Sequence, residues 1–298
     1  MYDIIGRKNI FLGFSAILAI AAIASIGKFG LKEGIDFKGG TSWQVRFVSA
    51  PSAEAVRAAL EKDFAAEEGT VIAEPTTGSV IIRLPELDEK LHAEYKTSLE
   101  KHFGTLEELN YETIGPAVGN ELKTKAVWAF LGVLLAISLY VAFAFRHVSR
   151  PVSSWKYALI TLVTLFHDAL IPLGLVAYLG HAYGVEMNTN VIVAILVVMG
   201  FSVHDTIVVF DRIRENLRIG REGTNNFASL VNTSVNQTMV RSVNTSLTLI
   251  LTLVALLAIG SANLFYFVLT ILVGISLGTY SSIFVASPLL VLSNKAKS

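Results

Sequence analysis

The sequence has no cysteine and only 7 prolines, and just 16% of its 298 residues are charged. Without cysteine, a disulfide framework, a zinc–thiolate centre and thiol catalysis are excluded. Average soluble domains carry about a quarter charged residues, so the shortage of charge argues against an ordinary soluble protein. No G-x-x-x-x-G-K-[ST] run supplies a phosphate-binding loop. No H-E-x-x-H or Ser/His/Asp arrangement stands out, and the six histidines are scattered. These gaps leave no basis for an enzyme, a cofactor or a metal site.

What the chain has instead is hydrocarbon. It is 53% hydrophobic, with a mean hydropathy of +0.57. A membrane crossing takes roughly 20 helical residues, and six windows reach that length and polarity: 10–27, 126–145, 157–179, 189–210, 243–259 and 264–292. A polytopic α-helical membrane protein with six transmembrane helices is expected. Arg7 and Lys8 before an apolar run, with small residues at Ala22 and Ala24, also fit a secretory signal. The run is long for a signal core, which favours an uncleaved anchor.

The formal net charge is zero, yet charge is unevenly placed. Residues 30–125 hold 11 basic and 17 acidic groups, leaving 13 basic and 7 acidic elsewhere. Twelve of those 13 basic groups fall at the same ends of the proposed spans, among them Arg7, Arg146, Arg212, Arg241 and Lys295. The positive-inside rule then places both termini in the cytosol and residues 30–125 outside. An acidic outer segment also disfavours nucleic acid as a partner.

That outer segment reads as a small α+β domain between the first two spans. "TSWQVRFV" is rich in strand formers, and "SAEAVRAALEKDF" repeats Val56, Ala59, Leu60 and Phe64 at helical spacing. "TVIAE" and "SVIIRL" are short strands joined by the turn "PTTGS". A second helix puts Leu91, Tyr95, Leu99 and Phe103 on one face, and "LEELNYETIG" supplies a fourth strand. The order β-α-β-β-α-β is that of a ferredoxin-like split unit. Domain boundaries follow: 1–29, the cytosolic N-terminus and first helix; 30–125, the extracytoplasmic domain; 126–298, helices two to six. Within the last, 211–241 is read as a cytosolic segment broken at Gly220 and Gly223. Beyond the break, Phe227, Leu230, Val231, Val235 and Met239 line one helix face. That face could lie on the headgroups or pack against neighbouring spans.

Charges inside the spans need a reason, because each one costs about 2.5–3.5 kcal/mol at the bilayer centre on insertion scales. Asp168 lies about 16 Å, and Asp205 about 8 Å, from the cytosolic end of its helix at 1.5 Å per residue. Asp168 shares a face with Thr161 and Thr164 and stands beside His167. Asp205 shares a stripe with Ser202 and Thr206 and stands beside His204. Arg241 opens the fifth span, with Thr245 and Thr248 continuing its face. A polar seam between the fourth and fifth helices is expected, with Asp205 facing Arg241. His167, Asp168 and His204 are candidate relay groups. The bland alternative is a set of buried acids that only fix helix packing. Gly274, Gly278 and Ser282, four apart, offer a small-residue face for close helix approach.

Several stretches carry a likeness to a known family. "GIDFKGGT", with Gly34, Asp36, Gly39 and Gly40, resembles the signature of the SecD/SecF family. "GFSVHDTIVVFDRIREN" resembles the fourth-helix motif of its SecF branch, and "SVNQTMVRSVNTSLT" and "HDALIPLG" are similar to segments of the fifth and third helices. The resemblance runs over nearly the whole chain. It implies an auxiliary subunit of bacterial Sec protein export, of the RND superfamily, in the cytoplasmic (inner) membrane. It further implies SecD as a pseudo-symmetric partner, the SecYEG channel and YajC as further partners, unfolded preprotein as substrate, and the proton as coupling ion. By that likeness Asp205 and Arg241 match the family's proton-pathway acid and its basic partner. A non-transporting membrane scaffold and an RND-type small-molecule or lipid exporter remain as alternative readings.

Overall fold

In the computed structural model, residues 1–64, 69–74, 78–146, 152–219, 226–260 and 262–295 are described. The chain divides into two compact units, one made of 1–32 with 128–298 and the other of 33–127. In order, the elements are α1 (Lys8–Phe29), α2 (Ile35–Lys38), β1 (Gly40–Phe47), α3 (Ala53–Phe64), β2 (Thr70–Glu74), β3 (Ser79–Leu84), α4 (Glu89–Phe103), β4 (Leu106–Ile114), α5 (Pro116–Ala144), α6 (Ser154–Tyr183), α7 (Thr189–Ile219), α8 (Phe227–Ile259), α9 (Ala262–Ser281), a π-helical turn (Ser282–Ala286) and α10 (Ser287–Lys295).

The smaller unit is an antiparallel sheet of order β2-β3-β1-β4 with helices on one face. Alternation along β1 turns Trp43, Val45 and Phe47 inward, where they meet Val56 and Leu60 of α3 and Tyr95 and Leu99 of α4. With no disulfide available, this core carries the unit alone. Asp88 caps α4, its carboxylate accepting from Leu91 N–H at 2.7 Å. Residues 75–77 of the expected turn lie outside the described set, while Gly78 beside them has a positive φ of 63°.

The Gly39–Gly40 pair is needed by the backbone. Gly34 precedes the short α2, whose first turn carries Asp36, and Gly39 and Gly40 follow it with φ of +81° and +126°. A Cβ at Gly39 would lie 2.8 Å from Pro116 Cα, and one at Gly40 would lie 2.8 Å from Leu84 O. Side chains rarely adopt such φ values, so two glycines let α2 turn into β1 against neighbouring backbone.

Among its described residues, the larger unit contains six helices long and apolar enough to cross a membrane: α1, α5, α6, α7, α8 and the rod made by α9, the π turn and α10. The protein is a multi-pass membrane protein. α6, α7 and the last rod bury 56%, 44% and 56% of their apolar windows, against 17% or less for α1, α5 and α8. The first three are thus the centre, and the others pack around them. Gly274 and Gly278 form the close contact between α9 and α7: a Cβ there would meet Val198 Cγ2 at 2.2 Å and Ser202 Cβ at 3.0 Å.

α8 differs from the segment expected at 211–241. α7 continues to Ile219, and α8 runs unbroken from Phe227 to Ile259. Gly220 and Gly223 fall outside the described residues. The apolar face of early α8 packs against protein: Leu230, Val231 and Val235 join Ile213, Leu290, Ile4 and Ile5 in one core. Asn232 fixes the strap before α1, its Oδ1 accepting from Ile4 and Ile5 N–H at 3.0 and 3.2 Å, and its amide donates to Tyr2 O.

Candidate functional site

The polar groups of the central helices converge where α6, α7, α8 and α9 meet. α7 presents Ser202, Asp205 and Thr206 on one stripe, as the three- and four-residue spacings require. All three are buried, with exposures of 0, 2 and 0%. Gly278 lets α9 come close enough to seal Ser202.

Asp205 has a buried Oδ2 that makes no hydrogen bond among the described residues, and the same holds for Thr206 Oγ1 and Ser242 Oγ. Ser242 of α8 adjoins Asp205 without reaching hydrogen-bond geometry. More than nine in ten buried polar groups have partners, so these three oxygens stand out, as do Ser15 Oγ, Tyr157 Oη and His167 Nε2 of the same unit. Ser246, one turn beyond Ser242, accepts from Thr279 Oγ1 of α9 at 2.5 Å and extends the polar line.

Arg241 does not join it. It is exposed on α8, as are Thr245 and Thr248, and among the described residues no ion pair links Arg241 to Asp205. The reason is helical phase. At 3.6 residues per turn, the stripe of Arg241, Thr245 and Thr248 lies roughly 100° from that of Ser242 and Ser246. The seam expected from sequence therefore has Ser242 and Ser246 on its α8 side. The threonine stripe faces away from the chain's interior, and the hydroxyl of Thr248 bonds Thr245 O of its own helix.

His204 is also exposed. His167 and Asp168 are buried on α6, with Nδ1 2.8 Å from Oδ1. Asp168 Oδ2 accepts from Ser202 Oγ at 2.5 Å and from Ser281 Oγ at 2.6 Å. Asp168 and Asp205 are thus joined through α7, since Ser202 touches the first and lies one turn from the second. Thr161 and Thr164 bond backbone oxygens of α6, at Tyr157 and Ile160, instead of Asp168.

Sequence reading missed Ser242, Ser246 and Ser281. A signal existed for the first two: Ser242, Ser246, Leu249 and Leu253 repeat at four, three and four. Ser281 carried none, because it sits where the helix widens into the π turn. No cluster of three or more metal-ligating side chains occurs among the described residues.

Comparison with known proteins gives the context of this arrangement. The family described as protein export membrane protein SecD/SecF, C-terminal, matches residues 94–296, and the SecD/SecF GG motif matches residues 24–50. The protein translocase subunit SecF of Thermobaculum terrenum is 43% identical, over 98% of this chain and 93% of that protein. The protein translocase subunit SecDF of Thermus thermophilus is 39% identical over 93% of this chain, which spans only 37% of it. The crystal structure of SecDF from Thermus thermophilus, titled a translocon-associated membrane protein, superposes with a TM-score of 0.86 at 34% identity. That match covers 99% of this chain and 39% of the solved one. The relatives are named as translocase subunits. The chain belongs to the SecD/SecF family of protein export membrane proteins.

Proposed function

We propose that this chain is an auxiliary subunit of bacterial Sec protein export, without enzymatic activity, that works with SecD to use the proton motive force. The observation that carries the proton part is the buried, unpartnered Oδ2 of Asp205 among unpartnered hydroxyls. Intramembrane acids of this kind mark ion pathways. The exposed stripe of Arg241, Thr245 and Thr248 on a membrane-spanning helix supports a partner surface there, since hydrocarbon offers the guanidinium no hydrogen-bond partner. SecD is the partner favoured, because a relative named SecDF contains a match to this chain as 37% of its length. In that pairing Arg241 meets the acid pathway from the partner's side.

The positive-inside charge pattern supports cytosolic termini, the inner membrane, and an outer position for residues 30–125. The element order and the strand order β2-β3-β1-β4 support a ferredoxin-like reading of that domain. Proton uptake at Asp205 removes a buried charge and frees α7 and α8 to shift. α1 and α5, which lead into and out of the outer domain, carry that shift to emerging preprotein. One charge crossing 100 mV releases about 2.3 kcal/mol, enough for a few protons to bias a domain motion. SecYEG and YajC complete the assembly on this reading.

Asp205→Asn tests it. In membrane vesicles containing the full Sec assembly, the variant is expected to assemble normally and to lose the proton-dependent gain in preprotein export. Unchanged export rejects coupling through Asp205. Normal export when Asp205 and Arg241 are both replaced by leucine would favour the scaffold reading.

A further inference from the structure

Asp168 is fully buried, and three side chains on three helices converge on its carboxylate: His167 on α6, Ser202 on α7 and Ser281 on α9. Ser202 and Ser281 donate to it, and one proton lies between Asp168 Oδ1 and His167 Nδ1. The network would close as a plain structural clamp were it not for His167 Nε2. That nitrogen is buried and makes no hydrogen bond among the described residues. With Nδ1–H given to Asp168 Oδ1, neutral imidazole leaves Nε2 as a bare base.

The charge balance points the same way. Ionised Asp168 beside neutral His167 leaves a net negative charge in the centre of the bundle, which hydrocarbon surroundings disfavour. A proton at Nε2 cancels it without disturbing any of the three hydrogen bonds. An acid that fixes the Nδ1–H tautomer and stabilises the imidazolium does so in serine hydrolases as well. Here the serines bond the carboxylate and not the imidazole, so no nucleophile is activated.

The surroundings contain little else that titrates. α7 brings Ser202 and, one turn on, Asp205, with His204 beside it exposed and facing away. α9 has no titratable group between Tyr266 and Tyr280, α1 none between Lys8 and Lys28, and α5 none between Lys125 and Tyr140. α6 itself offers none besides the pair between Tyr157 and Tyr178.

We infer that His167 and Asp168 form a second proton-binding site within the membrane helices, at which the pair takes up its proton at His167 Nε2. The site is linked to Asp205 through Ser202. Its bearing on export rests on the proton-pathway reading of Asp205, but proton binding at Nε2 does not.

The test is nitrogen-15 magnetic resonance of the full chain, labelled at its histidine rings and held in lipid nanodiscs, as pH is lowered from about 8 to 5. His167→Gln identifies the resonances by their loss. The expected result is a proton on Nδ1 throughout, with Nε2 bare at the upper end and acquiring a proton as pH falls. Asp168→Asn is expected to weaken that binding about ten-fold or more. An Nε2 protonated at every pH, or one that never changes, overturns the inference from the unmodified chain alone, and equal binding in Asp168→Asn overturns the role of the acid. If His167 titrates as expected while Asp205→Asn exports normally, the site stands and the transport reading falls.

Discussion

Replacing Gly174 by alanine sets two effects of opposite sign against each other. On helix propensity alone, alanine stabilises an interior helical position by about 0.8–1 kcal/mol. At Gly174, however, the new Cβ would lie 2.5 Å from both Cα and Cβ of Ala22 on α1, and 3.0 Å from Ala22 O. Ordinary carbon contacts are about 3.5–4.0 Å, so at least about 1 Å of separation is missing. Two of the three atoms are backbone, so α1 as a whole must move away. That movement also draws Ser25 Oγ off Gly174 O, to which it donates at 2.8 Å. Overpacking costs about 1–3 kcal/mol and the lost intramembrane hydrogen bond about 0.6. After the propensity gain, a net loss of about 0.6–2.8 kcal/mol remains, roughly 3- to 110-fold in the folding equilibrium. Unfolding of the full chain by sodium dodecyl sulfate in mixed micelles, followed by circular dichroism, reads this out. Gly13→Ala and Gly132→Ala are the controls, because nothing lies within 4 Å of either added Cβ. A Gly174→Ala chain as stable as its parent would refute the close approach of α1 to α6.

Two further expectations address the smaller unit and the strap before α1. The Ser98 hydroxyl, and after it His102, hold the Asp63 carboxyl below the usual carboxylate range. A depressed native value gives stability that is present above the unfolded acid's pKa, about 3.9, and lost as pH falls through the folded value. Ser98→Ala should therefore destabilise the domain at neutral pH but not in strong acid, as followed by Trp43 fluorescence; a pH-independent loss contradicts the assignment. Asn232→Ala leaves Ile4 and Ile5 N–H without their acceptor, at about 1–2 kcal/mol. Tryptic cleavage after Arg7 should quicken roughly 5- to 30-fold, and an unchanged rate would mean the strap is held by its isoleucines and by Asn236, which bonds Tyr2 N–H and O.

Much of this architecture could be read before any coordinates, and the reasons are physical. Strands β2 and β3 coincide with "TVIAE" and "SVIIRL" because β-branched residues stood between turn formers. Helix α4 begins one residue after its capping Asp88. Spans were found by hydropathy, which measures only what is apolar. It therefore placed the start of α5 at 126, although the polar stretch from Pro116 is helical too, and it divided α8 from its own first four turns. The buried stripe of Ser202, Asp205 and Thr206 followed from spacing within one helix. The facing stripe did not, because a phase error of one residue turns an α-helix by roughly 100°. Within the chain it is Ser242 that faces inward on α8, while Arg241, one residue earlier, points outward. The bonds from Asp168 to Ser202 and Ser281 span 34 and 113 residues, and no local pattern encodes contacts so distant.

The π turn at Ser282–Ala286 has a consequence for everything after it. A wider loop of backbone accommodates one residue more than regular winding would, so α10 is rotated relative to a straight continuation of α9. Leu290 and Val291 owe their place in the core to that offset. Deleting a single residue from the turn would let regular winding carry α10 to the same face, whereas regular winding with every residue kept would swing α10 by roughly 100° and expose the leucine it now hides. The irregular spot, not the apolar run around it, sets which side of the last helix faces its neighbours.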